Sequence, residues 1–303
     1  MDTIAFIETT SPWFFPLVVF IFGACIGSFL NVCIVRMPKG ESVIWPASHS
    51  TTGRQLSWWE NIPILAWIYL RGRDRVTGQR YGIRYPVVEL LTAVLFVVCW
   101  LVSDPIMACI GMLFIAILIV CTFIDLDTME LPDSFTVGGM LIGVLLSFWV
   151  PSMHLDPEKT HYISDGFVSG VTSMISALIG AGLVFWISEI GEIVFRKPAM
   201  GLGDAKLLGC VGAFCGWQGA VFSLFGGALI GCVILIPWMI LLRLFGGKND
   251  TDASEEEESE ASIGFGLEIP FGPMLALGAA VYALGADRWI DSYFSMVKMI
   301  IFG

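Results

Sequence analysis

Charge is scarce in this sequence. Only 14% of its 303 residues are Asp, Glu, Lys or Arg, 56% are hydrophobic, and the mean hydropathy is +0.80. Water-soluble domains carry about a quarter charged residues, so a soluble globule is excluded and a polytopic membrane protein is predicted. Thiol pairs are missing as well. None of the eight cysteines (25, 33, 99, 109, 121, 210, 215, 232) forms a Cys-x-x-Cys pair, and all lie within or beside apolar runs. That argues against a disulfide framework or a zinc ribbon and for small buried hydrophobes. The sequence also lacks a Gly-x-Ser-x-Gly elbow, a His-Glu-x-x-His pair and a phosphate-binding loop. Residues 1–11 contain no Lys or Arg, whereas a cleaved signal peptide opens with a basic region and has a shorter apolar stretch. The first apolar run is therefore read as a retained span.

A membrane helix needs about 20 apolar residues. Runs of suitable length predict an all-α chain with about eight transmembrane helices, near 13–35, 86–102, 106–124, 134–150, 166–188, 206–219, 221–242 and 272–290. One large hydrophilic loop, 36–85, joins the first two and holds eight of the 16 Lys and Arg against three acids. By the positive-inside rule this loop is cytoplasmic, and the count of eight then leaves both termini outside. Arg196, Lys197, Lys206, Arg243 and Lys248 also fall inside under this count. The predicted organisation is one region at 1–103, comprising two spans and their loop, and a six-span region at 104–303. The net charge of −11 owes much to an acidic block, since seven of the 27 acids lie between Asp250 and Glu260. The surrounding loop, 248–262, is expected to be a disordered, solvated spacer. Attraction of basic substrate segments is its alternative role.

Two aspartates stand apart from the rest. The segment Phe123-Ile-Asp125-Leu-Asp127-Thr-Met-Glu130-Leu-Pro132-Asp133 packs four acids into nine residues, and Asp125 lies nearest the hydrocarbon. Ionisable groups at the rim of a span are costly and are functional candidates by default. Asp127, Glu130 and Asp133 read as a solvated turn, with Asp133 capping the next helix. For Asp125, turn and catalyst both remain open. Asp204 sits in Pro198-Ala-Met-Gly-Leu-Gly-Asp-Ala-Lys206 at the lip of another apolar run. A helix cap explains Asp204 but gives Gly201 and Gly203 no purpose. Asp125 leaves the third span and Asp204 enters the sixth, both on the cytoplasmic side, so the two could meet. Paired carboxylates share one proton, and such a dyad can activate water against a peptide carbonyl. Histidine offers no competing set, because His49 falls on the opposite side of the membrane from His154 and His161.

Gly201-Leu-Gly-Asp204 with Lys206 resembles the Gly-x-Gly-Asp motif of membrane aspartyl proteases. Gly27-Ser-Phe-Leu-Asn31 and Arg36-Met-Pro-Lys-Gly-Glu-Ser42 resemble the opening signature of bacterial type IV prepilin peptidases. Leu56-Ser-Trp58, Glu60-Asn-Ile-Pro63, Arg71-Gly-Arg73 and Arg84-Tyr-Pro-Val-Val-Glu89 are similar to that family's first cytoplasmic loop. Asp125 with Leu131-Pro-Asp133, and then Phe271-Gly-Pro273, match its later motifs, so the resemblance runs from about 23 to 285. It implies a bifunctional enzyme of the bacterial inner membrane whose active site faces the cytoplasm. Such enzymes cut the leader from type IV prepilins or pseudopilins, then methylate the new N-terminal residue with S-adenosylmethionine. The resemblance places the catalytic aspartates at Asp125 and Asp204, with Gly201, Gly203 and Lys206 as supporting motif, and the methyltransferase region in 1–103.

The chain departs from the family in one respect. Many members carry two Cys-x-x-Cys pairs in the first cytoplasmic loop, where this chain has Ser48-His-Ser-Thr-Thr-Gly53 and Arg73-Asp-Arg-Val-Thr-Gly78. A tetrahedral zinc site needs thiolates or imidazoles, so no zinc is expected, and packing of Trp45, Trp58, Trp59 and Trp67 is expected to hold the loop instead. The residues of the methyl-donor site are not assigned. Membrane lipid is an expected partner and nucleic acid is not. The alternatives are a peptidase without methyltransferase activity, a proton-coupled transporter and a non-catalytic scaffold. A transporter would place its acids near mid-span within repeated halves, and neither feature is found.

Overall fold

The computed structural model describes residues 10–45, 62–73, 82–155, 162–196, 200–245 and 270–302. Its elements are helical throughout: α1 (Phe14–Arg36), α2 (Leu65–Tyr69), α3 (Arg84–Val102), α4 (Pro105–Thr128), α5 (Asp133–Trp149), α6 (Tyr162–Phe195), α7 (Leu202–Phe245), α8 (Gly272–Val281) and α9 (Asp287–Phe302). Five stretches, Phe14–Lys39, Arg84–Val102, Pro105–Thr128, Ser164–Val194 and Leu202–Val233, are long and apolar enough to cross a membrane, and the 17-residue α5 is a shorter apolar helix. An all-helical polytopic membrane protein is therefore what the chain forms. The acidic block 250–260, His49, Trp58, Trp59 and the segments that replace the family's cysteine pairs lie outside the described residues, apart from Arg73.

α4 and the first arm of α7 form the centre. α1 and α3 pack together and against α4, while α5, α6 and α8 surround α7. Phe114 of α4 stacks on Phe214 of α7 with ring centroids 4.8 Å apart, an aromatic contact that ties the two central helices together. Large apolar side chains also point outward: Leu178, Phe225 and Leu229 are each about two-thirds exposed. In a membrane that surface meets lipid rather than water. Helix association there depends on close packing and small polar contacts. Ser147 and Ser169 share a hydrogen bond between α5 and α6 at 3.2 Å, and Ser223 Oγ donates to the Leu275 carbonyl at 2.6 Å.

Three of the predicted spans carry a break in the regular helix. The runs 206–219 and 221–242 are two helices that meet at Gly216 (φ 73°, ψ 175°) and are labelled together as α7. Only glycine adopts that conformation readily. The break interrupts the helical ladder at Ala213, whose carbonyl instead accepts Ser173 Oγ at 2.7 Å and His154 Nε2 at 3.1 Å. The run 272–290 ends early. α8 passes through a wider turn at Tyr282–Ala286, with Gly285 at φ 136°, into α9. α9 is amphipathic, with Trp289, Tyr293, Met296, Met299 and Ile300 exposed. The expected aromatic packing of the first loop fails at Trp45, which is 73% exposed. Trp67 is half-buried against Gly72.

The tightest crossing, between α6 and α7, makes a direct test. A Cβ added at Gly212 would strike the Ser176 carbonyl oxygen, whereas one at Gly182 meets nothing within 4 Å. Gly212→Leu is expected to cost about 1–3 kcal/mol through overpacking, while Gly182→Leu stays near neutral. Thermal midpoints in detergent check the pair, and equal shifts would remove the crossing as the cause.

Candidate active site

The candidate site is built from three helix ends. α4 stops just past Asp125, where Met129 takes a left-handed conformation (φ 54°) and its N–H closes on the Asp125 carbonyl at 2.9 Å. The Asp125 side chain turns inward and is 5% exposed. Its Oδ2 accepts the backbone N–H of Gly272, the first residue of α8, at 3.1 Å. Free N–H groups at a helix start are ready donors to an anion. Glycine is required at this position for space, since a Cβ on residue 272 would lie 2.6 Å from Asp125 Oδ2.

α7 contributes Asp204 in its first turn, where the Asp204 N–H reaches the Gly201 carbonyl at 3.2 Å. Asp204 is half-buried, on the helix start that packs against Leu131, six residues past Asp125. The aspartates are 79 residues apart in sequence (204 − 125) and converge at one end of the bundle. The paired glycines have separate purposes. A Cβ at Gly203 would meet Leu131 Cβ at 3.1 Å, so Gly203 lets α7 lie close against the Leu131-Pro-Asp133 turn. A Cβ at Gly201 would have Asp204 Oδ2 as its nearest neighbour at 3.9 Å, so its absence leaves the approach to that carboxylate open. Neither glycine has a positive φ. Their contribution is room rather than unusual backbone geometry.

The neighbouring acids are engaged elsewhere. Asp133 does not cap α5 through its side chain; it ion-pairs with Lys206 at 2.5 Å, tying the start of α5 to the start of α7. Arg84 Nη1 contacts both Asp127 oxygens, at 2.8 and 2.7 Å, and Nη2 donates to the Phe123 carbonyl at 3.1 Å. A cation is favoured near a helix C-terminus, and Arg84 joins α3 to the last turns of α4 at positions two residues to either side of Asp125. Sequence reasoning missed both the Gly272 amide and this use of Arg84. The signal for the first was Gly272-Pro273, where the proline marks a helix start. On the first-loop side, buried Glu89 accepts the Ile64 N–H at 2.7 Å, and Asn31 Nδ2 donates to the Tyr85 carbonyl at 3.0 Å.

Residues 21–103 match the family model described as the bacterial peptidase A24 N-terminal domain, and residues 112–236 match the type IV leader peptidase family. A prepilin leader peptidase/N-methyltransferase from Myxococcus xanthus (strain DK1622) is 35% identical over 91% of this chain and 92% of its own length. The chain belongs to the type IV leader peptidase family. Proteins of the same name from Aeromonas hydrophila and Pseudomonas putida are 31% and 28% identical, covering 92% and 91% of this chain and 94% and 93% of their own. No solved structure matches this chain.

The Lys206–Asp133 pair is substantially exposed, at 39% and 67% of the two side chains, and exposed pairs contribute about 0–1 kcal/mol. A double-mutant cycle of Lys206→Gln and Asp133→Asn, followed by thermal unfolding, is expected to return a coupling in that range. A coupling well above it would make the pair a structural clamp.

Proposed function

We propose that this family member is a membrane aspartyl endopeptidase that removes the leader from type IV prepilins or pseudopilins and N-methylates the residue so exposed. The observation that carries the reading is the convergence of Asp125 and Asp204, from distant helices, at one end of the bundle. The names of the relatives, which cover most of the chain, support both activities.

In the proposed reaction the pair holds one proton between its two carboxyl groups. One carboxylate takes a proton from water as the water oxygen attacks the scissile carbonyl carbon, and the other carboxyl gives its proton to the carbonyl oxygen. The tetrahedral diol then collapses. The C–N bond breaks, the leaving nitrogen gains a proton and the new acid separates. The Gly272 N–H orients Asp125 for this work, and the open space at Gly201 admits the peptide.

S-adenosylmethionine is the methyl donor the relatives' names imply. When bound it supplies a methyl group to the new amino terminus, which loses a proton as the sulfonium C–S bond breaks. Of the first loop, 36–85, only 36–45, 62–73 and 82–85 are described. Glu89, the buried carboxylate beside it, accepts the Ile64 N–H at Oε2, and no described residue is assigned to the cofactor. The division into 1–103 for methyl transfer and 104–303 for cleavage is proposed on the first-loop motifs and the location of both aspartates. We also place the enzyme in the bacterial inner membrane, with the site facing the cytoplasm and both termini outside, on the distribution of Lys and Arg. The lack of the family's loop cysteines supports a zinc-free protein. A peptidase without methyltransferase activity is the second reading, and those same missing cysteines favour it.

Asp125→Asn and Asp204→Asn are each expected to reduce cleavage of a leader-bearing prepilin by at least about 10²- to 10⁴-fold, while a pre-cut pilin is still methylated from labelled donor. Gly272→Ala should lower cleavage by about 100-fold by displacing the Asp125 carboxylate. Cleavage that survives either asparagine change would reduce the aspartates to helix-end residues. Cutting without any methylation in the unmodified enzyme would select the second reading.

A shared-proton pair is active only with one group charged and one neutral, so the rate should fall at both ends of the pH range. Initial rates from acid to alkaline pH, on enzyme and substrate checked for integrity, test this. A plateau at high pH would contradict the mechanism.

A further inference from the structure

The opposite end of the bundle holds a cavity of about 480 Å³, which the proposed reaction does not use. It is bounded by the N-terminal half of α4, the turn between α5 and α6, the Gly216 break and the start of α9. Ile115, its nearest α4 residue to the aspartates, precedes Asp125 by ten positions (125 − 115), or about 15 Å of helix. The two sites are therefore separate.

The lining includes the Trp217 indole and the Gln218 amide as possible donors, and two acceptors. His154 Nε2 faces the Ala213 carbonyl at 3.1 Å. A carbonyl only accepts, so Nε2 carries the proton and Nδ1 presents a lone pair. Burial lowers the pKa of His154 and keeps the ring neutral. Asp287 opens α9, and its Oδ1 is buried with no hydrogen-bond partner among the described residues. A buried carboxylate oxygen calls for a donor. No Lys or Arg is among the described lining residues, and the neighbouring Arg288 directs Nη2 to the Val102 carbonyl at 3.4 Å. The cavity thus offers negative charge and lone pairs, with hydroxyls such as Ser152 that can adapt and apolar walls including Met107 and Phe114.

We propose that this cavity binds a primary ammonium group, with the Asp287 carboxylate as its counter-ion and His154 Nδ1 as a second acceptor. The cavity is large enough for a small ligand, since such sites run from about 300 to 1,000 Å³. An aminophospholipid headgroup and a free small amine carry the same R–NH₃⁺ chemistry, and the experiment separates them.

Purified full-length protein is equilibrated with vesicles of equal parts phosphatidylethanolamine, phosphatidylcholine and phosphatidylglycerol, then extracted, and the retained lipid is counted by mass spectrometry. Phosphatidylcholine is the control because its quaternary nitrogen has no N–H. The expected result is at least a fivefold enrichment of phosphatidylethanolamine over phosphatidylcholine, lost in Asp287→Asn with prepilin cleavage unchanged. Calorimetric titration with ethylamine, in micelles free of aminolipid, is the second arm. Saturable binding without lipid enrichment, again lost in Asp287→Asn, assigns the site to a free amine. Absence of both signals in the unmodified protein overturns the proposal, and that result does not depend on the variant folding. Either signal persisting at full strength in Asp287→Asn overturns it too.

Discussion

Hydrocarbon provides no water to satisfy a freed peptide group, and this constraint governs where the chain can depart from a helix. Every irregularity that bears on function is met by a partner from another element. The Gly216 break leaves the Ala213 carbonyl to Ser173 and His154. The start of α8 leaves the Gly272 N–H to Asp125. The same accounting that stabilises the bundle thus produces both a carboxylate with a fixed orientation and a cavity at the far end.

The aspartate pair follows from this architecture. Each acid stands within one turn of a helix end, where the backbone has unmet hydrogen-bonding capacity and the apolar wall is close. Asp125 is held on an inward path by the left-handed residue behind it and the amide in front of it. Asp204 is carried in by α7, whose first turn can lie against Leu131 because Gly203 has no side chain. The surrounding charges, Arg84 with Asp127 and Lys206 with Asp133, are paired among themselves. In both pairs the cation meets a carboxylate other than Asp125 or Asp204.

Much of this was legible in the sequence, for physical reasons. Apolar runs announce spans because the length of hydrocarbon to be crossed is fixed, and α1, α3, α4 and α6 fall where those runs lie. Asp125 and Asp204 were legible because charge beside hydrocarbon is costly enough to be rare. What could not be read was anything carried by the backbone or by distance. The donor to Asp125 is a main-chain N–H, which no residue type encodes. Arg84 read as a topology signal because its partner is 43 residues away. The span 272–290 read as continuous because Gly285, where the chain turns into α9, looks in sequence like any membrane glycine.

The bond between Asp125 and Gly272 crosses 147 positions of chain. Proteins enter the membrane in the order in which they are synthesised. Both acids are therefore made, and both central helices can be inserted, well before the ribosome reaches the amide that orients Asp125. A nascent chain holds the reactive groups without their alignment. In the proposed mechanism, completion of α8 is the event that aligns the pair, so the order of synthesis sets the moment at which cutting can begin.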